Sequence, residues 1–290
     1  MGKQLDQTRA LFGRDTKGLL DGGSHALVHT RSLEFDDLRP YVAGDDVRDI
    51  DWRATARSGH VLIKRFVSEL HHKILVVADT GQNMTALTPT QEFKYDVAAH
   101  VIGAMGLITL GRSDEIGMVF GDTRGCVDIR LRRGETHLEY LLHRFRQQLA
   151  ESPAASDITV QLDWVASHYR RRHLIVVVSD EPDPQARLRS VLPRLTGRHD
   201  VMWAMIADQP AVGSPDDERA GRDVGNGRYV PSGAEVGARV VAAYRRSEEQ
   251  RRQRLSEFLI EHGVPHATLA GSADIRAGLT AMTEVFARAR

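Results

Sequence analysis

Two short apolar runs, each ending in a carboxylate, constrain this chain more than any other feature. One is K73-I-L-V-V-A-D79, followed by T-G-Q-N83-M; the other, far downstream, is H173-L-I-V-V-V-S-D180. β-Branched residues in an unbroken run fit strands buried on both faces, as in the centre of a parallel sheet. Open sheets of that kind present their ligands at the carboxyl ends of the strands, where the loops leave. Asp79 and Asp180 are therefore candidates for a ligand position, or for a hard cation such as Mg2+, which takes oxygen ligands. Strand-to-Asp-to-loop is also a common way to cap a turn, so the capping alternative stays open from spacing alone.

From about residue 73 onward, strands and helices alternate. Strands are expected at 73–79, 115–120, 125–131, 173–179, 199–206 and 265–270. Thr88, Pro89 and Gln91 have the spacing of a helix start, with the helix running to Leu110 and leaving at Gly111. A second helix follows Gly134, with Thr136 and Glu139 at capping-box spacing, and others cover 157–170, 184–196, 234–262 and the stretch to Arg290. The 207–233 segment, rich in Gly, Asp and Pro, reads as a long loop, a length that is often functional. The pattern predicts an α/β domain over 71–290 with a doubly wound, mostly parallel sheet and helices on both faces. Loops 79–88, 180–185 and 207–233 should gather at one edge. Residues 1–70 break the alternation and read as an N-terminal extension, with short strands at 25–29 and 60–66.

Composition removes several function classes. Lys plus Arg equals Asp plus Glu at 39 each, so no net field favours nucleic acid. The single cysteine, Cys126, excludes an internal disulfide and a Cys-rich zinc site. Adjacent His71 and His72 lack zinc-ligand spacing, and the charged 245–254 run reads as a solvated helix face. Neither phosphate-loop nor dinucleotide glycine patterns occur. The apolar runs fall far below the ~18 residues that span a bilayer, so no membrane insertion is expected, and a cytoplasmic protein is.

A segment within the N-terminal extension is the most specific. It reads E34-F35, then R39-x-Y41-x-x-G44-D45-D46-x-R48-x-I50-D51-W52-x-x-T55-A56-R57. This resembles the signature of the domain of unknown function 58 family, whose members carry a von Willebrand factor type A-like domain directly after it. Such domains hold a divalent ion at a metal-ion-dependent adhesion site, with ligands from an Asp-x-Ser-x-Ser loop, a Thr and a second Asp. The resemblance matches Asp79 to the first Asp, Thr136 to the Thr and Asp180 to the last Asp. Gly81 and Asn83 stand at the two serine positions, and only the Asn83 amide oxygen can replace a hydroxyl. The resemblance thus implies a degenerate site, with Mg2+ or Mn2+ held weakly or not at all.

The Arg/Asp segment itself reads as an ion-paired clasp or partner surface involving Arg39, Asp45, Asp46, Arg48, Asp51, Trp52 and Arg57. Ile50 and Trp52 are expected to bury against the sheet. Relatives in the family are associated with MoxR-type AAA+ ATPases. The resemblance therefore implies a non-enzymatic adaptor that binds such an ATPase or its client protein during assembly or activation of complexes. A metal-dependent hydrolase and a structural subunit with a vestigial metal site are the rival readings. No nucleophile with a paired base supports the former.

Overall fold

The computed structural model describes residues 3–12, 30–42, 47, 50–151 and 153–288. The chain divides into two compact units, Met1–Val28 with Lys73–Arg290 and, separately, His29–His72.

In the smaller unit, β1 (Thr30–Pro40) pairs antiparallel with β2 (Leu62–His71), from Thr30↔His71 to Pro40↔Leu62, with an irregularity at Phe35/Asp37. The strand expected at 60–66 is the first half of β2; the one expected at 25–29 lies outside the described residues. Between the strands, α2 (Trp52–Ser58) is short, and its ends explain much of the motif. Asp51 caps it, one carboxylate oxygen accepting from the Arg53 and Ala54 amides at 3.0 Å each. Gly59, at φ 72°, ends it in the left-handed conformation that glycine adopts freely. The Thr55 hydroxyl accepts from Leu62 N at 3.0 Å, and Asp51 N donates to Leu62 O at 2.9 Å, so this one turn fixes where β2 begins.

The larger unit opens with α1 (Lys3–Phe12) and continues after the smaller one with β3 (Lys73–Asp79), α3 (Lys94–Arg112), β4 (Glu115–Asp122) and β5 (Gly125–Arg132). Then come α4 (Glu135–Ala150), α5 (Ile158–His168), β6 (Leu174–Ser179), α6 (Ala186–Thr196) and β7 (Asp200–Ile206). A long loop carrying the two-residue pair β8 (Gly221–Arg222) and β9 (Tyr229–Val230) leads to α7 (Gly233–Glu261), β10 (His266–Leu269) and α8 (Ile275–Arg288). Six strands form one sheet in the order β10-β7-β6-β3-β4-β5, parallel except for the antiparallel edge strand β5. The doubly wound α/β expectation holds.

The unbroken apolar runs have a simple cause. Ile74, Val76 and Ala78 of β3 face a core shared with α3, α4 and α8, while Leu75 and Val77 face another shared with α5, α6 and α7. Successive side chains alternate between the two faces, so both parities must be apolar.

Two helix starts differ from expectation. Thr88–Gln91 is a tight turn, closed by Gln91 N donating to Thr88 O at 2.9 Å and by the Leu87↔Phe93 bridge, and α3 starts only at Lys94. It ends not at Gly111 but with Ser113 in the left-handed region. Nor does Thr136 cap α4: Gly134 precedes it without a side-chain cap. Glu139 instead caps α1, its two carboxylate oxygens accepting from Gln4 N at 3.0 Å and Leu5 N at 2.9 Å. Arg9 adds a bidentate pair with Glu135 at 3.0 Å, and Leu5 and Phe12 are buried. Helix α1 therefore belongs to the α/β unit, and the compact boundaries differ from a simple division at residue 70.

Replacing Glu139 by Ala strips two amides of a charged acceptor. We expect a loss of about 1–3 kcal/mol in urea unfolding, with faster hydrogen exchange at Gln4 and Leu5.

Candidate functional site at the strand tips

β3 and β6 are neighbours, and their register ends at Ala78↔Val178. Asp79 is thus the last residue of β3, and Asp180 follows Ser179, the last residue of β6, at the same edge of the sheet. Asp79 is fully buried and Asp180 nearly so, and each occupies the carboxyl edge expected of it. Asn83, on the 3-10 turn Gln82–Thr85, reaches across and donates its amide to Asp180 Oδ2 at 2.7 Å. Asp79 Oδ1 accepts from Gly81 N at 2.7 Å, while its buried Oδ2 has no hydrogen-bond partner. The β6 tip is fixed from behind: Trp203 Nε1 donates to Ser179 Oγ at 3.0 Å, and that hydroxyl donates to Asp180 O at 2.7 Å.

Thr136 is not part of this edge. Strand β5 runs antiparallel to β4, with Arg132 opposite Ile116, so it delivers α4 to the amino-terminal edge of the sheet. Neighbouring His137 hydrogen-bonds there to Ile116 O at 2.9 Å. The residue that does close on Asp79 is Ser156, in the loop between α4 and α5. Its hydroxyl accepts from Asn83 N at 3.1 Å, and Ala154 O accepts from Gln82 N at 2.7 Å. The fit explains Gly81: a Cβ built there meets Ser156 Cα and N at 2.5 and 2.7 Å, so no side chain fits without moving backbone. Ser156 directly precedes Asp157, the N-cap of α5, and nothing in that local pattern signals a partner 75 positions away from Gly81.

Lys94 is the second residue the sequence did not reveal. It opens α3, is fully buried, and forms an ion pair with Asp208 at the end of β7, a contact of charges without hydrogen-bond geometry. Its charge acts on Asp79 and Asp180 as well. The 207–232 loop is tied to the same edge by Gln209 N donating to Leu87 O at 3.0 Å. On the other side, the buried Glu181 takes Arg251 and Arg252 of α7, so part of the 245–254 run anchors the helix and is not simply a solvated face. Four loops from different strands and helices thus meet over one charged cluster.

The electrostatics follow from burial. Desolvation, with Asp180's charge next, pushes Asp79 up to about 7; the Gly81 amide, Ser156 hydroxyl and Lys94 pull it back. Asp180 is also raised, by burial first, with Lys94 and the Asn83 amide opposing. These side chains do not make the oxygen cage of a hard divalent ion. A glycine replaces one hydroxyl, the Asn83 amide serves as a donor to Asp180, and an ammonium already acts on both carboxylates. Among the described residues, no three His, Cys, Asp or Glu side chains are arranged to hold a metal.

Of the motif residues proposed as a binding surface, Asp51 is the cap of α2 and Arg57 lies exposed near its end. Arg39 sits in β1 opposite Ile63. Trp52 is corrected: as the first residue of α2 it is 67% exposed, and Ile50 is only half-buried. Asp45, Asp46 and Arg48 lie outside the described residues.

Two outcomes are expected. Gly81→Ser, which restores a hydroxyl of the adhesion-site pattern, should cost about 1–3 kcal/mol in thermal unfolding because the Ser156 backbone must yield. Native Asp79 keeps its proton up to about pH 7, whereas an unfolded aspartate loses it near ~3.9. Between these values the native state binds the extra proton, so this group's contribution to stability falls as pH rises through the window and stays lower above it. Asp79→Asn should flatten that fall and exceed the wild type in unfolding free energy on the alkaline side, as read from urea titrations across pH.

A family model described as "Protein of unknown function DUF58" matches residues 37–224. "Uncharacterized protein Rv1480" of Mycobacterium tuberculosis is 27% identical over 201 residues, 69% of this chain and 62% of the relative, so the chain spans less than two thirds of that relative's length. Among solved structures, the chain is similar to an aerotolerance-related membrane protein from Bacteroides fragilis, at 12% identity and TM-score 0.45, over 73% of this chain and 98% of that one. It is also similar to a von Willebrand factor type A protein from Catenulispora acidiphila, at 11% identity and TM-score 0.41, over 78% and 44% respectively. The matched stretch takes in the motif from Arg39 to Arg57, both tip carboxylates and five of the six strands of the large sheet; the chain belongs to the DUF58 family of proteins of unknown function.

Proposed function

We propose that this protein is a non-enzymatic interaction module, an adaptor that docks a MoxR-type AAA+ ATPase or its client through the strand-tip edge of the α/β unit. The observation that carries this reading is the convergence of four loops above a cluster whose central charged groups are buried, Asp208 alone being partly exposed. Asp79 and Lys94 are fully covered and Asp180 nearly so, which suits a fixed platform better than a reaction centre that must meet substrate. Much of the exposed surface at this edge belongs to the 207–232 loop, beside the exposed Pro89–Gln91 turn and Phe93.

That loop is internally ordered. Asp223 Oδ1 accepts from Gly225 N at 2.7 Å and Asn226 N at 3.3 Å, β8 pairs with β9, and Arg219 pairs with Asp217 at 3.0 Å. A loop already held in shape loses less conformational freedom on docking, which favours affinity. It also presents exposed Tyr229 and Arg228, residue types that carry much of the energy of protein interfaces. The ATPase partnership rests on the family resemblance, and the edge is the part the geometry supports.

Binding of the purified ATPase measured by calorimetry tests both. Tyr229→Ala and Arg228→Glu should each weaken binding by about tenfold or more, while Arg246→Glu on the outer face of α7 should leave it unchanged. The reverse pattern would move the contact to α7 and favour a structural subunit. Absence of binding by the wild type would remove the ATPase as partner.

A further inference from the structure

We propose that the Lys94 ammonium is the resident cation of the strand-tip cluster, closing Asp79, Asp180 and Asp208 from inside the protein, so that this edge is assembled without a divalent metal ion. The proposal is independent of which partner docks there.

Position argues for it first. Lys94 is the first residue of α3, where the helix dipole disfavours a positive charge, and Phe93 offers no side-chain cap. It is also fully removed from water, which costs a charged group heavily unless other charges compensate. Both penalties have the same remedy in carboxylates from three strand ends: Asp208 after β7 pairs with Lys94 directly, and the Lys94 charge acts on Asp79 at the end of β3 and Asp180 after β6. Among the residues whose side chains are described, no other Lys or Arg is buried.

Residue type argues second. The chain has five lysines among 39 basic residues, yet the buried cation is one of them. An ammonium is a compact point charge with three donors, able to face carboxylates arriving from several directions, whereas guanidinium is a planar fork suited to one. The third argument is the donor set. Ser156 packs against Gly81 where the adhesion-site pattern has a hydroxyl, and Asn83 spends its amide on Asp180, so the side chains around Asp79 and Asp180 are not arranged as an oxygen cage.

The test uses Mn2+ as the probe, with free ion followed by electron paramagnetic resonance. Wild type should bind no stoichiometric Mn2+ in the submillimolar range, and its unfolding temperature should be the same in MgCl2 and in EDTA. Lys94→Met should unfold several degrees lower in EDTA, recover on adding Mn2+, and bind one ion about tenfold or more tighter than wild type. Combining it with Asp180→Asn should abolish that gain. One Mn2+ bound by wild type at submillimolar concentration and lost in Asp180→Asn overturns the proposal, as does a Lys94→Met protein with unchanged stability. Should Lys94→Met fail to fold, lysine-selective nitrogen NMR on the wild type decides. One ammonium signal among the five should be protected from exchange and shift in Asp208→Asn; five equally solvated signals would refute the assignment.

Discussion

The parallel pairing of β3 with β6 is the constraint from which the rest follows. Each strand is buried on both faces, so its middle must be apolar, and polar residues are confined to its ends. Because the two strands are adjacent and end at the same edge, Asp79 and Asp180, one residue apart in register, are brought together in a place that water barely reaches. Two like charges in such a place are unstable unless something positive joins them or a proton neutralises one. The surroundings of Asp79 and Asp180 supply both remedies: Lys94 on one side, and a carboxyl that holds its proton far above the ordinary aspartate range.

The cluster also accounts for the way the loops are joined. Asn83 links the β3 loop to Asp180, Ser156 links it to the segment between α4 and α5, and Asp208 brings the end of β7 to the start of α3. Glu181 extends the same logic to α7 through two arginines. Hydrogen bonds and ion pairs that are individually modest gain weight where water is excluded and every lost partner leaves a buried polar group unsatisfied. The edge is consequently fixed beneath, and the 207–232 loop, held by its own hydrogen bonds, presents side chains on that base. That division of labour is what a docking platform needs.

Much of this fold was legible because its main signals are local. Apolar runs at 73–79 and 173–179, the turn-rich link at Gly121, and the Gly, Asp and Pro content of 207–233 each mark an element by composition alone. Capping patterns are local, and tertiary context overrides two of them. Thr88 and Thr136 both have N-cap spacing, yet the Leu87↔Phe93 bridge uses the first in a turn, and Glu139 is drawn off to cap α1. Trp52 was expected inside because of its type, but the first turn of a short capped helix leaves it in solvent.

By itself the sequence determined which strands are central and that each ends in an acid, since a face hidden from water admits only apolar side chains. It also carried the family motif, part of which the structure explains as a cap at Asp51 and a strand anchor at Thr55. Only the tertiary structure decided what completes the cluster. Ser156, Lys94 and Asp208 come from a helix-to-helix loop, a helix start and a strand end with no fixed sequence distance to Asp79. Their meeting is set by strand order and helix packing, which no periodicity along the chain encodes. The displacement of Thr136 to the opposite edge has the same origin: one antiparallel strand, β5, reverses the side of the sheet on which the following residues emerge.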